Sequence, residues 1–248
     1  MAQLVMVGDR MFFWFLGEQS VLGTKQIENT VEEALRIYGR IDVLVNNAGY
    51  MESCYIEELT PEILTHQFST NLLGPLNLTR VLLPRFKSKR SGTFVFIGAI
   101  CGWRGDPTIA AYCASKFALE GLVESLSQET SHLGIPCIIF EPGLLRTQAF
   151  SPTTMRHRSI PIEDYGALDE GVKSYLRSTY GAELDDPRKA VERILDVVKR
   201  EGTAVTDGAP MPIRLPLGSD GLQVLRAKCE NTLNICEEYG DLAASTDI

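Results

Sequence analysis

A chain of 248 residues, 44% apolar and 23% charged, holds enough material for one full hydrophobic core. Its formal net charge of −8 excludes a broad nucleic-acid surface, which needs a basic face. Six cysteines, at 54, 101, 113, 137, 229 and 236, form no C-x-x-C pair and no zinc spacing. No metal site is expected, and buried free thiols suit a reducing, cytoplasmic setting.

In chain order, residues 11–16 (MFFWFL) read as a short buried strand, too short to cross a bilayer. The N-terminus also lacks the pattern of a signal peptide. Residues 25–38 read as an amphipathic helix with Ile27, Val31, Leu35 and Tyr38 on one stripe. Gly39 ends it, and IDVLVNNAG (41–49) follows as a buried strand and its terminal loop. Thr60 and Pro61 suit the N-cap and first position of a helix running to about Phe86. Gly74 and Pro75 predict a kink in it beside Asn71. Residues 93–98 (TFVFIG) form the next strand, residues 109–130 the next helix, and PCIIFE the strand after that. Asp186–Pro187 opens another helix. RLPLG and residues 219–238 give a last strand and helix, on which Cys229 and Cys236 share a face and are expected to pack.

Strands alternating with helices argue for βαβ units and a parallel sheet. In such sheets ligands bind outside the carboxyl ends of the strands. The loops at 46–49, 98–102 and 142–147 all follow strand ends, so one crevice is expected there.

The chemistry centres on Tyr112-Cys-Ala-Ser-Lys116. At i and i+4 the phenol and ammonium share a helix face. A nearby ammonium favours the phenolate, which would lower the tyrosine from its usual value of about 10 and fit it for proton transfer. Each neighbouring motif has a plainer use. Asn46 and Asn47 suit a strand end, and Gly49 and Pro142–Gly143 suit tight turns. Thr147 suits an N-cap, and Asn71 a helix kink.

NNAG, Asn71, YxxxK and the Pro-Gly segment with its threonine, in this order, resemble the short-chain dehydrogenase/reductase family over about residues 25–205. The resemblance implies a single α/β domain over 1–248, a Rossmann-like doubly wound parallel sheet. Residues 1–24 are an atypical N-terminus, 144–184 a substrate lid and 206–248 a C-terminal extension. It implies an NAD- or NADP-dependent oxidoreductase acting on a carbonyl or alcohol, working as a homo-oligomer. Tyr112, Lys116 and Asn71 would be catalytic: the tyrosine moves the proton, the lysine tunes it and binds the nicotinamide ribose, and the asparagine holds a water chain. Asn47, Ala48, Gly49, Tyr112, Lys116, Pro142, Gly143 and Thr147 would contact the cofactor. The substrate is expected to be a small, apolar molecule, and Phe150, Met155, Tyr165 and Tyr175 in the lid suggest an apolar, bulky ligand.

Two departures stand against that pattern. The family serine that polarises the substrate carbonyl falls at Ala99, which cannot donate a hydrogen bond; Cys101 and Thr108 lie nearby. The Gly-rich turn that cradles a pyrophosphate is missing from the first forty-five residues. VGDRMFFWF resembles the end of the family's first helix and its second strand. The first βαβ unit is then incomplete, and the exposed edge of IDVLV needs a substitute partner, LVMV or MFFWFL. Dinucleotide binding is expected to be weak or lost, and a non-redox isomerase, cyclase, dehydratase or ligand-binding role is the alternative.

Overall fold

The computed structural model describes residues 2–7, 10–15, 24–148, 156–157, 162–202 and 210–248. Its strands are β1 (Ala2–Val7), β2 (Arg10–Phe15), β3 (Val43–Asn46), β4 (Glu52–Ser53), β5 (Thr93–Ile97), β6 (Cys137–Pro142), β7 (Arg156–His157) and β8 (Arg214–Leu217). The helices are α1 (Thr24–Tyr38), α2 (Pro61–Phe68), α3 (Gly74–Lys89), α4 (Ala110–Thr130), α5 (Gly166–Thr179), α6 (Pro187–Lys199) and α7 (Ser219–Ala244). The main sheet has the order β2-β1-β3-β5-β6-β8, and β4 pairs with β7 in a small second sheet.

β3, β5, β6 and β8 are parallel. Helices cover both faces, as expected of a doubly wound fold. On one face α1, α3 and α4 bury Ile27, Val31, Leu82, Phe86, Leu119 and Val123 against Leu44, Phe94, Phe96 and Ile139. On the other, α6 sets Ala190, Ile194 and Val198 against Val43, Val95, Ile138 and Phe140. Each fully buried Phe or Ile contributes about 1.5–3 kcal/mol, which explains why PCIIFE and TFVFIG are near-continuous apolar runs.

The flank of β3 that the sequence left open is filled by LVMV, inside β1. β1 runs antiparallel to β3, with Leu4 opposite Val45 and Met6 opposite Val43. It continues into β2 as an antiparallel hairpin whose innermost pair is Val7 and Arg10. A connection this short permits only antiparallel pairing. Val7 therefore ends a strand, and the likeness of VGDR to a helix end does not hold.

Local expectations are met where capping chemistry is strong. Thr60 Oγ1 accepts from the Ile63 N–H at 3.3 Å, with Pro61 beginning α2. Asp186 accepts from the Arg188 N–H at 2.8 Å at the start of α6. The break beside Asn71 is a π-helical turn, Ser69–Leu73, closed by the Gly74 N–H on the Ser69 carbonyl; Pro75, just beyond it, has no N–H to donate. α5 lies inside the region read as a lid. β8 joins the main sheet beside β6. Cys229 and Cys236 are exposed on α7, against the expectation that they pack, while Cys54, Cys101, Cys113 and Cys137 are buried free thiols. Among the described residues no helix is long and apolar enough to cross a membrane.

Candidate active site

Parallel pairing of β3, β5 and β6 puts their carboxyl ends at one sheet edge. The loops after them carry the candidate residues. Asn71 is the knot of this edge. Its Oδ1 accepts from the Tyr50 N–H at 3.1 Å, and its Nδ2 donates to the Tyr50 carbonyl and to Ser115 Oγ, both at 3.0 Å. Ser115 Oγ in turn donates to the Tyr112 carbonyl at 2.7 Å. One buried amide thus ties the loop after β3 to the turn of α4 that bears Tyr112. A π-helical turn often marks such a functional position.

Lys116 is buried and extends under the same loop. Its Nζ donates to the Ile97 carbonyl at 2.8 Å and stands 5.7 Å from the centre of the Tyr112 ring. A Cβ built on Gly49 would lie 3.7 Å from Lys116 Nζ and 3.4 Å from Asn71 Oδ1. Gly49, Asn71, Lys116 and Tyr112 therefore form one group. Asn47, Ala48 and Gly49 are exposed or half-buried along that loop.

The electrostatics differ from the sequence-based expectation. Burial pushes the Tyr112 phenol above its usual range, and the Cys101 and Cys113 thiols beside it add to the rise. Burial pulls Lys116 down to about 8, opposed by Glu120 and Cys101. Desolvation outweighs the pull of one ammonium. The phenol here is held protonated rather than acidified.

Pro142 ends β6, and Gly143 and Thr147 follow it at the same edge. The Gly143 N–H donates to the Leu217 carbonyl at 2.9 Å, and the Leu144 N–H donates to Asp220 Oδ2 at 2.8 Å. Asp220, at the start of α7, fixes this turn; nothing in the sequence pattern marked it. Thr147 is exposed, with its N–H on the Leu145 carbonyl at 2.8 Å.

Ala99 is buried in a cluster with Ile100, Cys101 and Cys113, against which Tyr112 packs. Cys101 Sγ lies 3.8 Å from Asp106 Oδ2. Thr108 is held at φ 64°, a strained setting for a β-branched residue, and its Oγ1 accepts from Ser53 at 3.3 Å. Phe150 and Met155 lie outside the described residues. Tyr165 stacks on Tyr55 at 4.5 Å, which gives it a packing role; Tyr175 is half exposed. Among the described residues there is no acid, cysteine and histidine cluster that would hold a metal.

Residues 10–157 match the family model described as short chain dehydrogenase. The chain belongs to the short chain dehydrogenase family. It is 32% identical over 171 residues to the uncharacterized oxidoreductase YusZ of Bacillus subtilis, an alignment covering 68% of this chain and 61% of that protein. The chain thus spans under two thirds of that relative's length. A short-chain dehydrogenase from Streptomyces avermitilis superimposes with a TM-score of 0.77 at 31% identity, covering 92% of this chain and 78% of that one. A gluconate 5-dehydrogenase from Burkholderia cenocepacia, in complex with NADP and tartrate, has a TM-score of 0.51 at 25% identity. That match covers 53% of this chain and 52% of that one.

The site fits a nicotinamide cofactor on one side only. Around α4, the glycine at 49 leaves room beside two donors, Lys116 and Asn71. On the β1 side the described residues offer no pyrophosphate cradle. Because β1 is reversed, its carboxyl end lies at the opposite sheet edge, beside Asp42, whose N–H donates to the Met6 carbonyl. Among the described residues no helix follows β1 there to present N–H groups to a phosphate. At the crevice end of β3, both polar atoms of the buried Asn46 amide lack a partner among the described residues.

Proposed function

We propose that this chain is an NAD- or NADP-dependent oxidoreductase that acts on a carbonyl or alcohol of a small, apolar substrate, with impaired turnover and weakened dinucleotide binding. The observation that carries it is the convergence of Tyr112, Lys116 and Asn71 on the loop that holds Gly49. Family membership, buried free thiols and the oxidoreductase names of its relatives agree with a cytoplasmic enzyme of this class; a homo-oligomer is part of the same reading.

The cofactor, when bound, supplies the hydride. Tyr112 holds the proton for the substrate oxygen. Its raised pKa keeps it a phenol at neutral pH, which suits donation to a developing alkoxide. Lys116 remains an ammonium below about pH 8 and steadies the charge left on Tyr112. Asn71, Asn47, Ala48 and Gly49 orient this group, and Pro142, Gly143 and Thr147 flank the nicotinamide side. Ala99 supplies no donor to polarise the carbonyl, a loss of about 10²–10³ in rate where such a donor is removed.

The test is NADPH and NADH consumption across a panel of ketones. Turnover is expected to be slow, to vanish in Tyr112→Phe, and to fall as pH rises through about 8, where Lys116 loses its proton. Unchanged turnover in Tyr112→Phe would refute the assignment. The reversed β1 favours a second reading, a non-redox isomerase, cyclase, dehydratase or ligand-binding protein using the same crevice. Turnover with no dinucleotide present would establish it.

A further inference from the structure

Beneath the catalytic turn of α4 lies a second set of buried charges. Glu120 stands one helical turn after Lys116 and is 3% exposed; Glu141, at the end of β6, is 0% exposed. Both face one cation. Arg214 of β8 places Nη1 2.9 Å from Glu120 Oε2 and 3.5 Å from Glu141 Oε1, and Nη2 2.9 Å from the surface carboxylate of Glu124. The Trp103 ring covers the guanidinium at 4.9 Å.

Room for this arrangement comes from the loop after β5. A Cβ on Gly98 would sit 2.8 Å from Glu120 Oε1, and one on Gly102 2.9 Å from the same oxygen. The two glycines bracket Ala99 and Cys101, so the Glu120 carboxyl lies directly under the loop that bears the missing donor.

We propose that Glu120 and Glu141 hold one shared proton between them, and that Glu120 is a positioning residue whose charge governs the protonation of Lys116. The second half rests on the oxidoreductase reading for its catalytic meaning.

The warrant is charge counting. Three carboxyls meet one guanidinium, and two of the three are sealed from water. Glu120 and Glu141 reach the same nitrogen, Arg214 Nη1, and like charges at a shared buried site cannot both ionise. In keeping with this, burial and then Glu141 push Glu120 up to about 8 against the pull of Arg214 and Lys116. Burial also raises Glu141. The groups that bear on Lys116 are Glu120 on its own helix and Cys101 on the β5 loop; those that bear on the pair are Glu124, Trp103, Arg214 and Lys116.

The two isosteric variants should act in opposite directions. Glu120→Gln removes the negative neighbour, so the Lys116 midpoint falls. Glu141→Gln removes the competitor for the proton, Glu120 ionises fully, and the Lys116 midpoint rises. A shift of about one pH unit each way is expected for a charge a helical turn away. The measurement is NMR titration of Lys116 in lysine-labelled protein without substrate. Opposite shifts support the proposal; shifts of the same sign, or none, overturn it. A second measurement needs no variant. Infrared spectra of protein carrying carbon-13 glutamate should show a protonated carboxyl band near neutral pH, with the label separating it from Asp185. Absence of that band would overturn the shared proton. A chain that neither binds nor uses a dinucleotide would refute the oxidoreductase reading and leave both results standing.

Discussion

β3 pairs with β5 in parallel on one flank and with β1 antiparallel on the other, and the two flanks differ in what they can do for a ligand. On the β5 flank every carboxyl end meets the same edge, where Asn71 bonds the loop after β3 and Ser115 of α4, Lys116 bonds the end of β5, and the Lys116 ammonium stands 5.7 Å from the Tyr112 ring. On the β1 flank a hairpin completes the sheet but turns the strand round. It protects the edge of β3 from stray pairing, while the carboxyl end of β1 itself lies at the opposite edge. Among the described residues, that side closes the sheet without presenting a cradle for a phosphate.

The comparison can be broken most severely at Asn71. Replacing it by Ala removes the acceptor of the Tyr50 N–H and one donor each from the Tyr50 carbonyl and the Ser115 hydroxyl. A loss of about 3 kcal/mol is expected from these three hydrogen bonds, read as a lower urea midpoint with an unchanged slope. A loss below about 0.5 kcal/mol would mean that the loop is not held as described.

A somewhat smaller effect sharpens the catalytic half. Ala99→Ser restores a hydroxyl at the position where the family pattern has one, in the cluster against which Tyr112 packs. Ketone reduction is expected to rise about 10²-fold, or about 2.7 kcal/mol of barrier. No gain, with turnover otherwise measurable, would show that carbonyl polarisation is not what limits this chain.

Much of the β5 flank was legible in sequence because its signals are local. Thr60–Pro61, Asp186–Pro187, the α1 stripe and the apolar runs of β5 and β6 each encode one element, and the YxxxK spacing places two side chains on one face. The direction of β1 against β3 was not legible, because an apolar run pairs equally well either way round; its short link fixes only its direction against β2. The raised Tyr112 phenol was not legible because burial is a tertiary quantity: desolvation raises it, and the Cys101 and Cys113 thiols that the fold brings beside it add to the rise. Glu141 carried a signal that was passed over, a carboxylate in the otherwise apolar CIIFEP, although its partners on α4 and β8 are brought to it only by the fold.

The central proposal is that the β5 flank keeps a reacting group while the described residues of the β1 flank hold no pyrophosphate cradle. Isothermal titration of the whole chain with NADPH and with NADH tests it most directly. Binding is expected to be weak for both, with Kd at or above about 1 mM. Saturable binding of either near about 1 μM would contradict it.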